Sequence, residues 1–210
     1  MRLEPAPSDD PTLPAAPEAR RRREREQWQV RRRLERQLHD GAALRASALA
    51  LQLGLFRHRV PEADQELRDA IGALQDELHA VLQELREVAA QIYPPVLDEA
   101  GLGPALRDLA ERRDLPLRVR DDGGRCGAAA EGAVYFALVD ALAAGAGPLE
   151  VTVRGEAGEL VATVSGAVPE VRELLADRAR PLGGTVLGDV PAAGDETGVG
   201  GTIVARIPCE

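Results

Sequence analysis

The chain has 210 residues but no lysine and no asparagine: all 26 basic residues are arginine, set against 35 acidic ones and a net charge of -9. Without lysine there is no P-loop, whose phosphate grip depends on one, and no Schiff-base chemistry. Without asparagine, every site built on that side chain is excluded. Aromatic residues make up 2% of the chain and hydrophobic residues 44%, so the core has to be Leu, Val and Ala, the composition of a helical bundle joined to a modest sheet. So few rings leave no stacking platform for single-stranded nucleic acid, and a nucleic-acid partner is not expected.

Cysteine is nearly absent too. Cys126 and Cys209 lie far apart in sequence and fit neither a disulfide framework nor a metal-ligand spacing, and three isolated histidines supply no metal set. No metal is expected, and unpaired cysteines point to a reducing, cytoplasmic compartment. No apolar run approaches the ~20 residues of a membrane span, and the N-terminus lacks the apolar core of a signal peptide. A chain of this length holds one compact domain or two small ones.

What is present divides the chain. Residues 1–18 carry Pro5, Pro7, Pro11, Pro14 and Pro17 among Ala, Ser and Asp, and are expected to be a disordered tail. From Glu18 to Val60 there is no proline, and an apolar stripe runs through Val30, Leu34, Leu38, Gly41, Leu44, Ala48, Leu51 and Leu55 in steps of three and four, the period of a long helix. Val60-Pro61 breaks it. A second stripe, Leu67, Ile71, Leu74, Leu78, Val81, Leu85, Val88 and Ile92, keeps a heptad alternation until Pro94-Pro95. Two long amphipathic helices on a short turn make a hairpin whose seam is satisfied by pairing with a second hairpin, so residues 19–97 are expected to form a homodimeric four-helix bundle.

Beyond this, residues 98–210 change period. A helix at Pro104 to Arg112 precedes strands at Leu115 to Arg120, Leu149 to Arg154, Leu160 to Val164, Thr185 to Val190 and Thr202 to Ile207, with helices at Ala128 to Ala144 and Glu170 to Arg180. Helices on one face of a largely antiparallel sheet make a small sandwich, and the fold class is α+β. Gly198, Gly200 and Gly201 precede a strand and not a helix, so they read as a hairpin turn and not a phosphate loop.

The candidate chemistry sits at Leu38-His39-Asp40-Gly41, in the middle of the first helix, where a glycine costs ~1 kcal/mol relative to alanine. His39 lies beside the apolar stripe, facing solvent or a partner. An adjacent acid can hold one ring nitrogen protonated and leave the other nucleophilic; by itself the pair is equally what a solvated helix surface carries. The segment Arg20 to Arg36 holds nine Arg against Glu24, Glu26 and Glu35, read as a solvated extension with internal Arg-Glu pairing. Trp28 is expected to pack at the bundle end.

The order of a basic helix, RRRLERQLHDGAALRASALALQL, a heptad helix, then Ile92-Tyr93-Pro94-Pro95-Val96-Leu97 and Gly101-Leu102-Gly103-Pro104-Ala105-Leu106 resembles the dimerisation and phosphoacceptor domain of two-component sensor histidine kinases. The subfamily is the one that signals to response regulators with helix-turn-helix outputs. The resemblance gives His39 the phosphoacceptor role, Asp40 that of the assisting acid, and a response-regulator receiver domain as partner. It also implies that the sandwich is a Bergerat-like ATP-binding domain. There the chain departs from the family. The position of the magnesium-binding Asn is Ala144; the turn whose carboxylate reads adenine is Ser165-Gly166-Ala167-Val168-Pro169; no space remains for a glycine-rich lid. Asp140 keeps only the acidic character of that helix, leaving a degenerate site near Asp140, Ala144 and Gly166. Where the subfamily carries a water-positioning Gln, one turn after the Asp, this chain has Leu44. The expectation is a histidine-kinase-like protein without a bound cofactor, exchanging phosphoryl groups with a regulator or binding it. An autokinase using ATP and magnesium, and a scaffold without phosphorylation, remain as alternatives.

Overall fold

The computed structural model describes residues 16–190 and 200–209. Most of the expected tail, and Gly198, lie outside them. The first helix begins at Ala16 and runs in three parts: α1 (Ala16–Arg36), a π-helical segment (Gln37–Ala43) and α2 (Leu44–Arg57). The sequence reading of one long helix holds, with an interruption that it did not anticipate. Gly54, Phe56 and Arg57 carbonyls take the last amides around the break before Pro61, and Asp64 caps α3 (Gln65–Ile92) by accepting from the Leu67 amide at 3.4 Å.

Tyr93 is extended (φ -161°, ψ 119°), as the residue before a proline must be, and this ends α3. Pro95 then opens α4 (Pro95–Glu99), since a first helical turn needs no amide there. The linker helix α5 (Leu102–Arg113) leads into a five-stranded sheet: β1 (Leu117–Asp121), β2 (Leu149–Glu156), β3 (Glu159–Ala167), β4 (Thr185–Asp189) and β5 (Gly201–Pro208). The strand order is β1-β2-β3-β5-β4, with β1 parallel to β2 and every other pair antiparallel. Helices α6 (Ala128–Ala143) and α7 (Pro169–Ala179) pack on the sheet, and a single helical turn, Arg180–Leu182, follows α7. All five expected strands and the α+β class are present.

The core of the sandwich is aliphatic, as the scarcity of rings required: Leu138, Val151, Leu160, Val164, Leu175 and Ile203 are all fully buried. The hairpin differs. Its intrachain seam buries Ala43 and Ala50 on the first helix against Ile71, Leu82 and Ala89 of α3. Each helix meanwhile leaves large apolar side chains in the open: Leu44, Leu51 and Leu55 on α2, and Leu67, Leu74, Val81 and Val88 on α3, the last four at heptad spacing.

Two expectations are overturned here. Cys126, in the loop before α6, and Cys209, after β5, form a disulfide with Cα atoms 4.4 Å apart. Their separation of 83 residues hid this, because β5 returns beside β3 and the Cys209 amide donates to the Gly158 carbonyl at 2.8 Å. With both cysteines paired, they do not point to a reducing compartment. Trp28 is not at the bundle end either. It is buried against α6, its ring 5.7 Å from that of Phe136, and a Cβ at Gly132 would come within 2.6 Å of it. Glycine at 132 is what lets α1 lie on the sandwich.

Candidate functional site

The buried positions of the first helix explain where its interruption falls. Trp28, Glu35, Ala43 and Ala50 are buried, so the step that would be seven residues in an uninterrupted heptad seam is eight between Glu35 and Ala43. One inserted residue is what a π-helical turn accommodates, and the Gln37–Ala43 segment takes it up. It carries His39 and Asp40, both exposed. A Cβ at Gly41 would meet nothing within 4 Å, so packing within this chain does not require that glycine. On the C-terminal side Ser47 Oγ donates to the Ala43 carbonyl at 2.8 Å, a side-chain bond back along the helix. Leu44, at the first position of α2, is exposed and offers no polar atom beside His39.

Three groups around the base of this helix were not singled out by the sequence. Asp98, on α4, is largely buried and receives both Arg32 and Arg36 from α1. Arg36 Nε donates to Oδ2 at 2.6 Å and Nη2 to Oδ1 at 3.2 Å, while Arg32 Nε donates to Oδ1. Burial alone would raise the Asp98 pKa, but hydrogen bonds from Arg36 and Arg32 outweigh it and hold the carboxyl below its ordinary range. The basic segment is therefore only partly the solvated extension expected of it. Arg22 pairs with Glu26 at 3.7 Å along the helix, but its C-terminal arginines fasten α4 one turn before the histidine.

Arg125 continues that fastening. Its guanidinium donates to the Leu97, Asp98 and Glu99 carbonyls at 3.3, 3.0 and 3.4 Å, satisfying the end of α4, and to Glu131 Oε1 at 2.9 Å on α6. The Cys126 amide donates to the same oxygen at 2.9 Å. Tyr93 is buried above α6, and burial pushes its phenol well up. Glu35 is the third group: it is 2% exposed, and its Oε1 has no hydrogen-bond partner among the described residues. The only signal in the sequence was its spacing, seven residues after Trp28, at a seam position where an apolar side chain belongs.

The residues around the expected nucleotide site serve other purposes. Asp140 pairs with Arg178, joining α6 to α7 across their contact. Arg178 also lies over the Phe136 ring, 6.0 Å from its centre. Ala144 is the exposed residue after α6. Gly166 sits in an irregularity of the β3–β5 pairing with φ +82°, its Cα face against the Pro148 carbonyl and Gly200. Only Val168 separates β3 from α7. Among the described residues no group of three His, Cys, Asp or Glu converges as a metal site, and no helix is long and apolar enough to cross a membrane.

The chain thus joins a helical hairpin, with an exposed His-Asp pair in a π-helical turn, to an α+β sandwich. Residues 30–97, which span this hairpin, match the family model described as histidine kinase. Among solved structures it is similar to histidine kinase ThkA in complex with response regulator protein TrrA, at 14% identity, covering 96% of this chain and 68% of that one with a TM-score of 0.36. No curated protein matches the chain.

Proposed function

We propose that the protein is a dimeric histidine-kinase-like signalling chain that exchanges a phosphoryl group with a response regulator, or binds and regulates it, and that it does not use ATP. The observation that carries this reading is the exposed His39 and Asp40 on the π-helical turn, inside the stretch that matches the family. His39 attacks the phosphorus of the regulator's aspartyl phosphate; an N–P bond forms, the acyl O–P bond breaks, and the electron pair leaves with the regulator's carboxylate. Asp40 stabilises the positive charge that develops on the ring. Leu44 cannot orient a hydrolytic water, so the phosphoryl group moves to His39 or stays where it is.

The loss of ATP use is supported by what fills the nucleotide position. There is no Asn in the chain to ligate magnesium. Asp140 is tied to Arg178, Gly166 is occupied by backbone packing, and one residue between β3 and α7 leaves no lid. A second copy of the chain is supported by the uncovered heptad row of α3, because burying such rows contributes about 1.5–3 kcal/mol per aliphatic side chain. The test uses candidate receiver domains charged with an acyl phosphate. Label should appear on the wild type and not on His39→Gln; equal depletion of the charged regulator by both proteins, with neither labelled, would leave only the scaffold role. Calorimetry with Mg-ATP should show no low-micromolar binding.

A further inference from the structure

Glu35 is the buried ionisable group that the mechanism above leaves unused. It occupies a seam position that Ala43 and Ala50 hold further along, and it is 2% exposed with Oε1 unpartnered among the described residues. Leaving a buried polar group unsatisfied costs about 1–3 kcal/mol, and more when it is charged. Arginines flank it at 32 and 36, yet the side-chain acceptor they share is Asp98. For stability alone an aliphatic residue would serve better here. What Glu35 has nearby is the phosphoacceptor, four residues on.

The charged groups that act on Glu35 are His39, whose charge favours the carboxylate, Asp98 and Asp40, which oppose it, and Arg36, which favours it. On α3 the buried side toward its C-terminal end carries Leu85, Ala89 and Ile92, none of which titrates. Asp98 and Glu35 are thus two neighbouring carboxyls in opposite conditions. One has two guanidinium partners and stays ionised; the other is desolvated, and burial pushes it above the ordinary carboxyl range. Environments that separate a pair in this way mark a site where charge is managed.

Phosphorylation of His39 creates the charge to be managed. Attack by the neutral imidazole leaves the ring cationic, with its remaining N–H in place, while the regulator's carboxylate departs with the electron pair. We propose that Glu35 is a positioning residue of the phosphoacceptor site: its shielded carboxylate is the counter-charge for the imidazolium of phosphorylated His39. This rests on the phosphotransfer reading above. Asp40 is exposed and faces whatever docks, whereas Glu35 acts from the protein interior, where a charge is less screened. Because a protonated Glu35 carries no charge, transfer to His39 strengthens as pH rises through the Glu35 titration, in the interval above the ordinary carboxyl range.

Two measurements on the full-length chain decide it. In the first, the Glu35 carboxyl is followed by carbon-13 NMR in glutamate-labelled protein, assigned by difference from Glu35→Gln, in wild type and in His39→Gln. Removing the histidine should move the Glu35 midpoint upward; an unmoved midpoint shows that the two side chains are uncoupled and overturns the proposal whatever the phosphotransfer result. In the second, transfer from an acyl-phosphate-charged regulator is timed for wild type, Glu35→Gln and Glu35→Asp across that pH interval. Glu35→Gln should slow transfer roughly 10- to 100-fold and flatten its pH dependence, with Glu35→Asp restoring part of both. A folding defect is not expected, since removing the buried charge should leave the melting temperature at neutral pH unchanged or higher. Wild-type rate and pH profile in Glu35→Gln would sink the counter-charge role while leaving phosphotransfer intact. If wild type takes no label from any regulator, the phosphotransfer reading fails, and the role assigned to Glu35 falls with it.

Discussion

Arg36 and Asp98 join the helix that carries His39 to the first turn after Pro94-Pro95: the guanidinium donates to both carboxylate oxygens, at 2.6 and 3.2 Å, three residues before the histidine. With Arg32 on the same carboxylate and Arg125 on the carbonyls of α4, this ties the hairpin to the sandwich through a short path of charged hydrogen bonds. This path ends one helical turn before His39.

Replacing Asp98 with Asn should therefore destabilise the chain by about 1–3 kcal/mol at neutral pH, the cost of leaving hydrogen-bond partners unmatched in a partly buried place. The Asp98 pKa is depressed in the folded chain, so its contribution is present above the unfolded value of about 3.9 and is lost as pH falls through the lower folded value. Urea melts should show the gap between wild type and Asp98→Asn narrowing below about pH 4. A gap that stays constant down to acid unfolding would mean that the ion pairs contribute nothing.

Dimerisation and folding can be separated on α3. Leu74 and Val81 point away from the intrachain seam, whereas Leu82 is buried in it. Leu74→Asp with Val81→Asp should yield a helical monomer by light scattering and circular dichroism. Leu82→Asp should cost about 3 kcal/mol or more and unfold the hairpin. A wild type that is monomeric at micromolar concentration would contradict the bundle.

Trp28 is the single tryptophan and lies under Gly132, so its emission reports how α1 sits on α6. Gly132→Ala should shift that emission to the red and lower stability by about 1–3 kcal/mol through overpacking. The far-ultraviolet spectrum should be unchanged.

The Cys126–Cys209 disulfide spans 83 residues, and closing a loop of that size should stabilise the sandwich by roughly 2–4 kcal/mol. Melting with and without a dithiol reductant measures it. Cys126→Ser should match the reduced wild type, and identical melting of oxidised and reduced wild type would show that the crosslink is thermodynamically silent.

The elements of this protein were legible along the chain because they are local properties. Proline at 61 and at 94–95 ends the helix that precedes it, a 3.6-residue stripe makes a helix, and alternation around Val151 and Val164 makes strands. His39 and Asp40 stand out as candidates in the sequence because their motif is contiguous. What only the tertiary structure decided depends on residues far apart. Asp98 meets Arg32 and Arg36 because Pro94-Pro95 turns the chain back along α1; Cys209 meets Cys126 because β5 returns beside β3. The register of the first helix also lay beyond reading. The heptad stripe ran smoothly through Leu38, Gly41 and Leu44, but the side chains that are buried are Glu35 and Ala43, and the eight-residue step between them is a π-helical turn. Which face of an amphipathic helix is covered depends on what packs against it, and the sequence alone carries no record of that neighbour.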